Sequence, residues 1–496
     1  MEEEKPKPTS RRAFVKAAII GGASAAVVGT AVLAPNLRPT AAPAPVPSPG
    51  PSPFPQAGSY LVWFDKAATL FRRRNLATGT DEFSQADGAV VVQSAIDALP
   101  SDLGGTIWIT EDLDAPNGIV MINKDSVSLV SLRDPPPRYR NTPRPHIQKI
   151  QYTGVVRGGL LQGLHCRELQ FDGTGNQQMM VLRDISMHPT GQPNQQGLRF
   201  LGSAGYMQYI EIQNLKVALS GTGADYSAIE FGNANSGFGH ITFSGNTSIE
   251  TEYDAAGSPV AIKVSSGAET GTPIRFENLS VVEQSARTSG IGLRPILMQA
   301  QSEPSKGLRQ MNIDRFFFEQ HYTSPHTIVT IEPASGAGAC WFVLTIDELA
   351  ISDDFGKTVN LLDNRNTSWM SREQVLRVNG GYKDGVGTVA LGNLNPNQFF
   401  RVYLGNMSGV TPFGKLATPF FESTPMSFVG AGGTNSAPTT GEYVVVTMPV
   451  VVASTDPWSL KDSAGNLIET VPATQARTVP LGYRVQFPTG TPSIFA

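Results

Sequence analysis

IEIQNLKV (210–217), ITFSGNTSI (241–249) and IRFENLSV (274–281) share one plan: a short alternating apolar run, an Asn, then a second run. The Asn residues are Asn214, Asn246 and Asn278. The plan returns about every 32 residues, as VLRDISM at Asp184, MNIDRFFF at Asp314, LTIDELAI at Asp347, LRVNGGY at Asn379 and VYLGNMSG at Asn406. Asn and Asp are the non-glycine residues that best tolerate a left-handed backbone, so one fixed between two strands marks a sharp corner. A corner once per turn describes a coil.

A further extended piece precedes each corner, near Phe200, Phe231, Ile262, Leu297, Thr330, Leu361 and Leu391. Three short strands per turn, with Gly/Ser/Asn-rich links and no helical period between them, predict a parallel β-solenoid rather than a sandwich. At a strand spacing of about 4.8 Å the corners span a rod on the order of 35 Å.

Ahead of the coils, AVVVQSAIDALPSDLGGTIWI (89–109) puts Val92, Ile96 and Leu99 on one helical face and stops at Pro100 and Gly104-Gly105 before a first strand. A solenoid exposes core at its end, and an amphipathic helix covers it. This stretch resembles the leading helix and first strand of the pectin-lyase-like proteins, a superfamily that includes pectate lyases, polygalacturonases and phage tailspikes. The resemblance runs over roughly residues 58–430. It implies an all-β chain, a right-handed parallel β-helix with an N-terminal capping helix, and it bears on activity only weakly.

The expected organisation is a twin-arginine signal or signal anchor over 1–34, a Pro-rich linker over 35–57, the β-helix over 58–430 and a small antiparallel β module over 431–496. Ser10-Arg11-Arg12-Ala13-Phe14-Val15-Lys16 ahead of an apolar segment matches the twin-arginine export signal. Export to the cell surface or exterior follows, with the apolar segment as a membrane anchor if it is retained. The Pro-rich stretch then makes a stiff stalk. In the last part, WSLKDSAGNLIETV reads as a hairpin around Ser463-Ala464-Gly465-Asn466. The family's comparable modules cap the rod or assemble it as a homotrimer.

A charged fraction of 16% with 50 Gly and 37 Pro in 496 residues fits an exported strand-rich protein. A net charge of −4 without a basic run beyond the N-terminus excludes nucleic acid as a partner. Cys166 and Cys340 fall in coils roughly 24 Å apart, too far for a disulfide. Both are expected as free, buried thiols. His146, His165 and His188 read as ordinary surface or turn residues.

An acidic residue recurs five or six places after each corner: Glu250 and Glu252, Glu283, Glu319, Asp353 and Asp354, and Asp384. Equal offsets stack in a solenoid, so these form one column, with Arg287, Arg315, Lys357 and Lys383 beside it and His240, His321 and His326 at its border. Three readings compete. A glycoside hydrolase would use one carboxyl as acid and another as base or nucleophile. A polysaccharide lyase would hold Ca²⁺ with the acids while Arg or Lys removes a proton. In a non-enzymatic envelope or appendage protein, the acids are simply solvated. For an enzyme, Glu319, Asp353 and Asp354 are the candidate catalytic residues, and Glu283, Arg315, His321, Lys357 and Asp384 the candidate substrate-binding ones. No metal or cofactor motif is present, so Ca²⁺ enters only with the lyase reading. The partner in each enzymatic case is a polysaccharide or cell-surface glycan.

Asp353-Asp354 resembles the paired aspartates of polygalacturonases, and Gly239-His240 part of their Gly-His-Gly element. Here His240 precedes the pair and is followed by Ile241, and the Asn-Thr-Asp and Arg-Ile-Lys elements are missing. These departures argue against pectin hydrolysis. A glycan cleft also needs exposed aromatic rings, for which Tyr253, Tyr322, Trp369 and Tyr382 are the candidates.

Overall fold

In the strand Tyr206–Leu219 the side chains of Met207, Ile210, Ile212, Leu215, Val217 and Leu219 are buried, and those between them face outward. Alternation breaks twice, at Gln208-Tyr209 and at Gln213-Asn214, where two neighbouring residues both point out. Tyr209 and Asn214 are left-handed, with φ of 56° in each. Such an extra residue bends the strand while keeping the inward series continuous. One strand thereby covers two corners of a coil.

The computed structural model describes residues 58–110, 112–132, 145–202, 205–221, 226–232, 236–252, 257–265, 268–270, 273–284, 292–299, 307–321, 326–332, 341–353, 359–365, 374–385, 389–393, 400–409, 420–424, 441–445, 450–454, 457–462, 466–473, 475, 477–479, 484–487 and 492–495. Its coils stack as a parallel β-solenoid. Ile212, Phe243, Phe276, Ile313, Ile346, Val378 and Leu404 pair in parallel register from coil to coil. The strands before each corner form a second ladder, in which Phe200, Phe231, Val264, Met298 and Ile331 follow one another. From Tyr206 onward most coils consist of one long bent strand and one short one, because the pieces flanking the Asn corner run together.

Stacking of equivalent positions builds the core. Tyr152, Phe171, Phe200 and Phe231 lie ring on ring, with centroids 4.7, 5.1 and 5.1 Å apart and planes within 5° of parallel. Each pair adds about 0.5–1.5 kcal/mol beyond area burial. Cys166 is a free, buried thiol whose pKa is pushed up to about 12 by burial and the nearby charge of Glu168. Cys340 lies outside the described residues.

The left-handed corner holds at Asp184 (φ 54°) and Asn214, then changes. In the next coil the register slips between Phe243 and Thr247, and the extra residue Gly245 (φ 68°) takes the left-handed position in place of Asn246. Asn246, Asn278, Asp314, Asp347 and Asn379 are not left-handed. They serve the corner through hydrogen bonds between coils: Asn278 Nδ2 donates to the Gly245 carbonyl at 2.8 Å and Asn379 Nδ2 to Asp347 Oδ1 at 2.8 Å.

The helix Gly88–Ala98 covers the first coil as expected, burying Val92 and Ile96, with Leu99 buried at its end. Asp87 caps it by accepting from the Ala89 N–H at 2.9 Å. Lys124 Nζ donates to the carbonyls of Ile96, Asp97 and Leu99 at 2.7–3.0 Å, satisfying the other end. Gly118 is where the helix meets the strand Asp114–Ile122; a Cβ there would come within 2.1 Å of the Ala89 side chain. Before the helix, Ser59–Asp65, Leu70–Asn75 and Asp81–Gln85 form an antiparallel meander whose first strand joins the parallel ladder at Gly105–Ile109. Sequence reading had no separate expectation for this meander.

At the other end the pairing turns antiparallel. Phe420–Thr424 pairs with Phe400–Gly409, and Ala390 with Ser493, so added strands cover edges of the last coils. Trp458–Lys461 and Leu467–Val471 form the expected hairpin, closed by Asp462 and Asn466. Among the described residues no helix is long and apolar enough to cross a membrane. The segments expected as signal (1–34) and linker (35–57) lie outside the described residues.

Candidate functional site

Downstream of the Asn corner, alternation separates the residues that the sequence placed in one acidic column. Ala218, Glu250, Val282, Glu319, Ser352 and Asp384 are paired coil to coil in one column. Leu219, Thr251, Glu283, Gln320 and Asp353 form the next. The first four side chains of this second column are fully buried. Among the described residues, therefore, the acids do not form a single solvent-facing line. The offset of five or six residues spans two columns of opposite facing, since the side-chain period of a strand is two.

Glu283 points inward, which removes it from the surface candidates. Its carboxylate meets His326 Nε2 in a short contact and accepts from the Leu293 N–H at 3.1 Å. The two groups are buried, and each meets the other's polar atom across adjacent coils, so removing one would leave the other uncompensated. Lys383 is also buried, in the inward column of Val281, Phe318 and Ile351. Asp353 shares a backbone column with buried Glu283 and Gln320 rather than with Glu319; its side chain, and all of Asp354 and Lys357, lie outside the described residues. Arg287, Tyr253, Tyr322 and Trp369 lie outside them as well.

Glu319 is half-buried and its Oε1 lies 2.9 Å from His321 Nε2, so these two candidates are brought together. Asp384 is exposed in the same column two coils on, about 10 Å away by strand spacing. Glu250, two coils back, is held by Lys216 at 3.3 Å and by Gln284 at 2.7 Å. Coulombic crowding of neighbouring acids is avoided because Val282 and Ser352 alternate with them.

Beside this column lies an open groove of about 520 Å³, lined from the outward-facing residues of five coils. Asn246, Asn278, Arg315 and Glu348 form its corner side, and Ser248, Ser280, Phe317, Ala350 and Tyr382 its floor. Arg315 and Tyr382 are exposed, and Glu348 pairs in register with Arg315. Glu348, Phe317 and the serines were missed by the sequence reading. Their signal was present as outward positions of the same strands: Glu348 one residue and Phe317 three residues after the Asp of their corners, and Ser248 and Ser280 two residues after the Asn of theirs.

Three histidines read as ordinary turn residues also fall in line. His146 and His165 rings meet edge-on at 4.9 Å and His165 and His188 at 5.7 Å. His146 Nδ1 lies 3.0 Å from Asp114, and burial holds its pKa below the usual histidine value despite that carboxylate. Among the described residues no cluster of three or more His, Cys, Asp or Glu is arranged to hold a metal ion.

No family model matches the chain, and no curated protein matches it. Among solved structures, ORF18 of Geobacillus virus E2 is 12% identical with a TM-score of 0.31, over 79% of this chain and 73% of that one. The enzymatically active domain of bacteriophage CBA120 tailspike protein 4 is 10% identical with a TM-score of 0.22, over 82% and 65%. A mutant tailspike of E. coli bacteriophage HK620, in complex with a pentasaccharide, is 9% identical with a TM-score of 0.15, over 81% and 90%. Likenesses of this strength leave the function to be argued from the groove itself.

Proposed function

We propose that this protein binds polysaccharide, with the sugar chain lying in the groove between Arg315 and Tyr382. The groove's lining carries the reading: Phe317 and Tyr382 offer apolar surface among Asn246, Ser248, Asn278, Ser280, Arg315 and Glu348. A sugar ring has apolar C–H faces and a rim of hydroxyls, and a site for it needs both kinds of partner. Five coils at about 4.8 Å give the groove a run of roughly 19 Å, suited to an extended chain. Arg315 adds a partner for an acidic sugar. Binding of the purified protein to a polysaccharide array tests the reading, with Arg315→Ala and Tyr382→Ala as controls.

A second reading, glycoside hydrolysis, is favoured by Glu319 and Asp384. Their spacing of about 10 Å between backbones is near the 6.5–9.5 Å carboxyl separation of inverting glycosidases and well above the roughly 5–5.5 Å of retaining ones. In that case Glu319→Gln abolishes release of sugar from a bound polysaccharide without abolishing binding. Export through the Arg11-Arg12 signal would bring the groove to glycans outside the cell, with the Pro-rich stretch as its stalk if the signal stays in the membrane.

A further inference from the structure

A second bend lies one strand piece before the Asn corner, and six successive coils place left-handed residues there: Gly104 (φ 62°), Ser126 (55°), Gly158 (74°), Met179 (61°), Tyr209 (56°) and His240 (51°). Arg157, Gln178, Gln208 and Gly239, each just before one of them, pair in register. At the companion bend the chain uses Asp184, Asn214 and Gly245, residue types suited to this conformation. Met and Tyr have no such advantage, so Met179 and Tyr209 hold a disfavoured backbone. Both are also exposed, at 65% and 53%, as is Tyr206 at 58%.

The exposed rings are ordered by the neighbouring coils. Tyr209 and His240 stack with centroids 4.8 Å apart and planes 5° from parallel. The Tyr206 ring lies over Gly237, where a Cβ would come within 2.6 Å of it. Alongside runs a strip of outward polar groups tied together. Arg183 Nε donates to Gln213 at 2.8 Å, and Gln213 Nε2 and Ser244 Oγ donate to Glu211 at 2.8 and 3.1 Å.

Strained backbone and exposed apolar surface coincide where a Gly or Asn would relieve both, the pattern expected of a binding surface kept at the expense of stability. We propose that Met179, Tyr206, Tyr209 and His240 form a second carbohydrate-binding ledge, one bend away from the Arg315 groove, that takes the apolar face of a sugar ring. It rests on the reading that the protein takes glycans. A second protein is the poorer fit, because a stable contact covers about 800 Å² per partner and four side chains on a narrow bend fall well short. The ordered amides, carboxylate and guanidinium beside the rings suit the hydroxyls of a sugar.

The test compares the full-length protein with a Tyr209→Gly/His240→Gly variant and an Arg315→Ala/Tyr382→Ala variant on one polysaccharide array, with thermal unfolding and sedimentation of each. The ledge variant is expected to keep or raise its Tm while losing tenfold or more in affinity for a glycan that the parent binds. Loss in the ledge variant alone supports the ledge and sinks the groove. Loss in the groove variant alone overturns the ledge and leaves the groove standing. A parent that binds nothing on the array overturns both. A Tm lowered by several degrees would make the rings structural, and a changed oligomeric state would make the occupant a second copy; either result overturns the ledge.

Discussion

Asn214 donates from Nδ2 to Asp184 Oδ1, one coil earlier, at 3.0 Å, and its own Oδ1 accepts from the Asn246 N–H at 3.3 Å. One side chain thus links three coils at the corner while its backbone sits in the left-handed region. Asn214→Val should cost about 2–3 kcal/mol, combining left-handed strain with the lost hydrogen bonds. Asn278→Val should cost only about 1 kcal/mol, because Asn278 is not left-handed and loses a single bond to Gly245. Denaturation midpoints of the two variants check this ordering, and equal costs would remove the distinction between the corners.

Glu283 and His326 form a buried pair between adjacent coils. Glu283→Ala leaves His326 without its carboxylate and should destabilise by about 3–5 kcal/mol, whereas Glu283→Gln retains a hydrogen-bonding side chain and costs less. Glycan binding by the Gln variant should be unchanged. A Gln variant that folds normally but loses binding would return Glu283 to the site.

The coil repeat was legible because Asn214, Asn246 and Asn278 recur between apolar runs, and the strands near Phe200, Phe231 and Ile262 fall where their patterns placed them. The helix was legible from the spacing of Val92 and Ile96. Facing was harder to read. Glu319 and Glu283 stand five residues after Asp314 and Asn278, yet they belong to adjacent columns, because Asn278 aligns with Arg315 and not with Asp314. A one-residue register shift reverses which face a side chain takes. The Tyr209–His240 stack was invisible because nothing local in the chain marks a left-handed Tyr.

His146 gives the solenoid a pH dependence. Burial disfavours its charged form, and Arg167 and His188 act in the same sense against the opposing pull of Asp114; its folded pKa lies below the ordinary histidine value. The unfolded chain therefore binds the proton more readily, and stability is lost as pH falls from about 6.5 toward the folded value. His146→Gln should flatten this slope in denaturation midpoints measured between pH 5 and pH 8, a range of about three units. An unchanged slope would assign the acid sensitivity elsewhere.

If Arg11-Arg12 belongs to a twin-arginine signal, as proposed, Arg11→Lys with Arg12→Lys should hold the protein in the cytoplasm, because such a signal is read through its arginine pair. Cell fractionation with an antibody to the solenoid checks it. Unchanged export of the double variant would mean that another route carries the chain. Sequencing the exported product's N-terminus then distinguishes a cleaved signal from a retained anchor.

The most direct measurement is the affinity of the parent protein and of Tyr382→Ala and Arg315→Ala for the best polysaccharide on an array, by titration calorimetry. Each replacement removes one exposed side chain of the groove without opening the core, so thermal stability should stay within a degree or two, as for other surface changes of under about 0.5 kcal/mol. Binding should weaken tenfold or more in each, about 1.4 kcal/mol. Full affinity in both variants, at unchanged stability, would contradict the assignment of the groove as the glycan site.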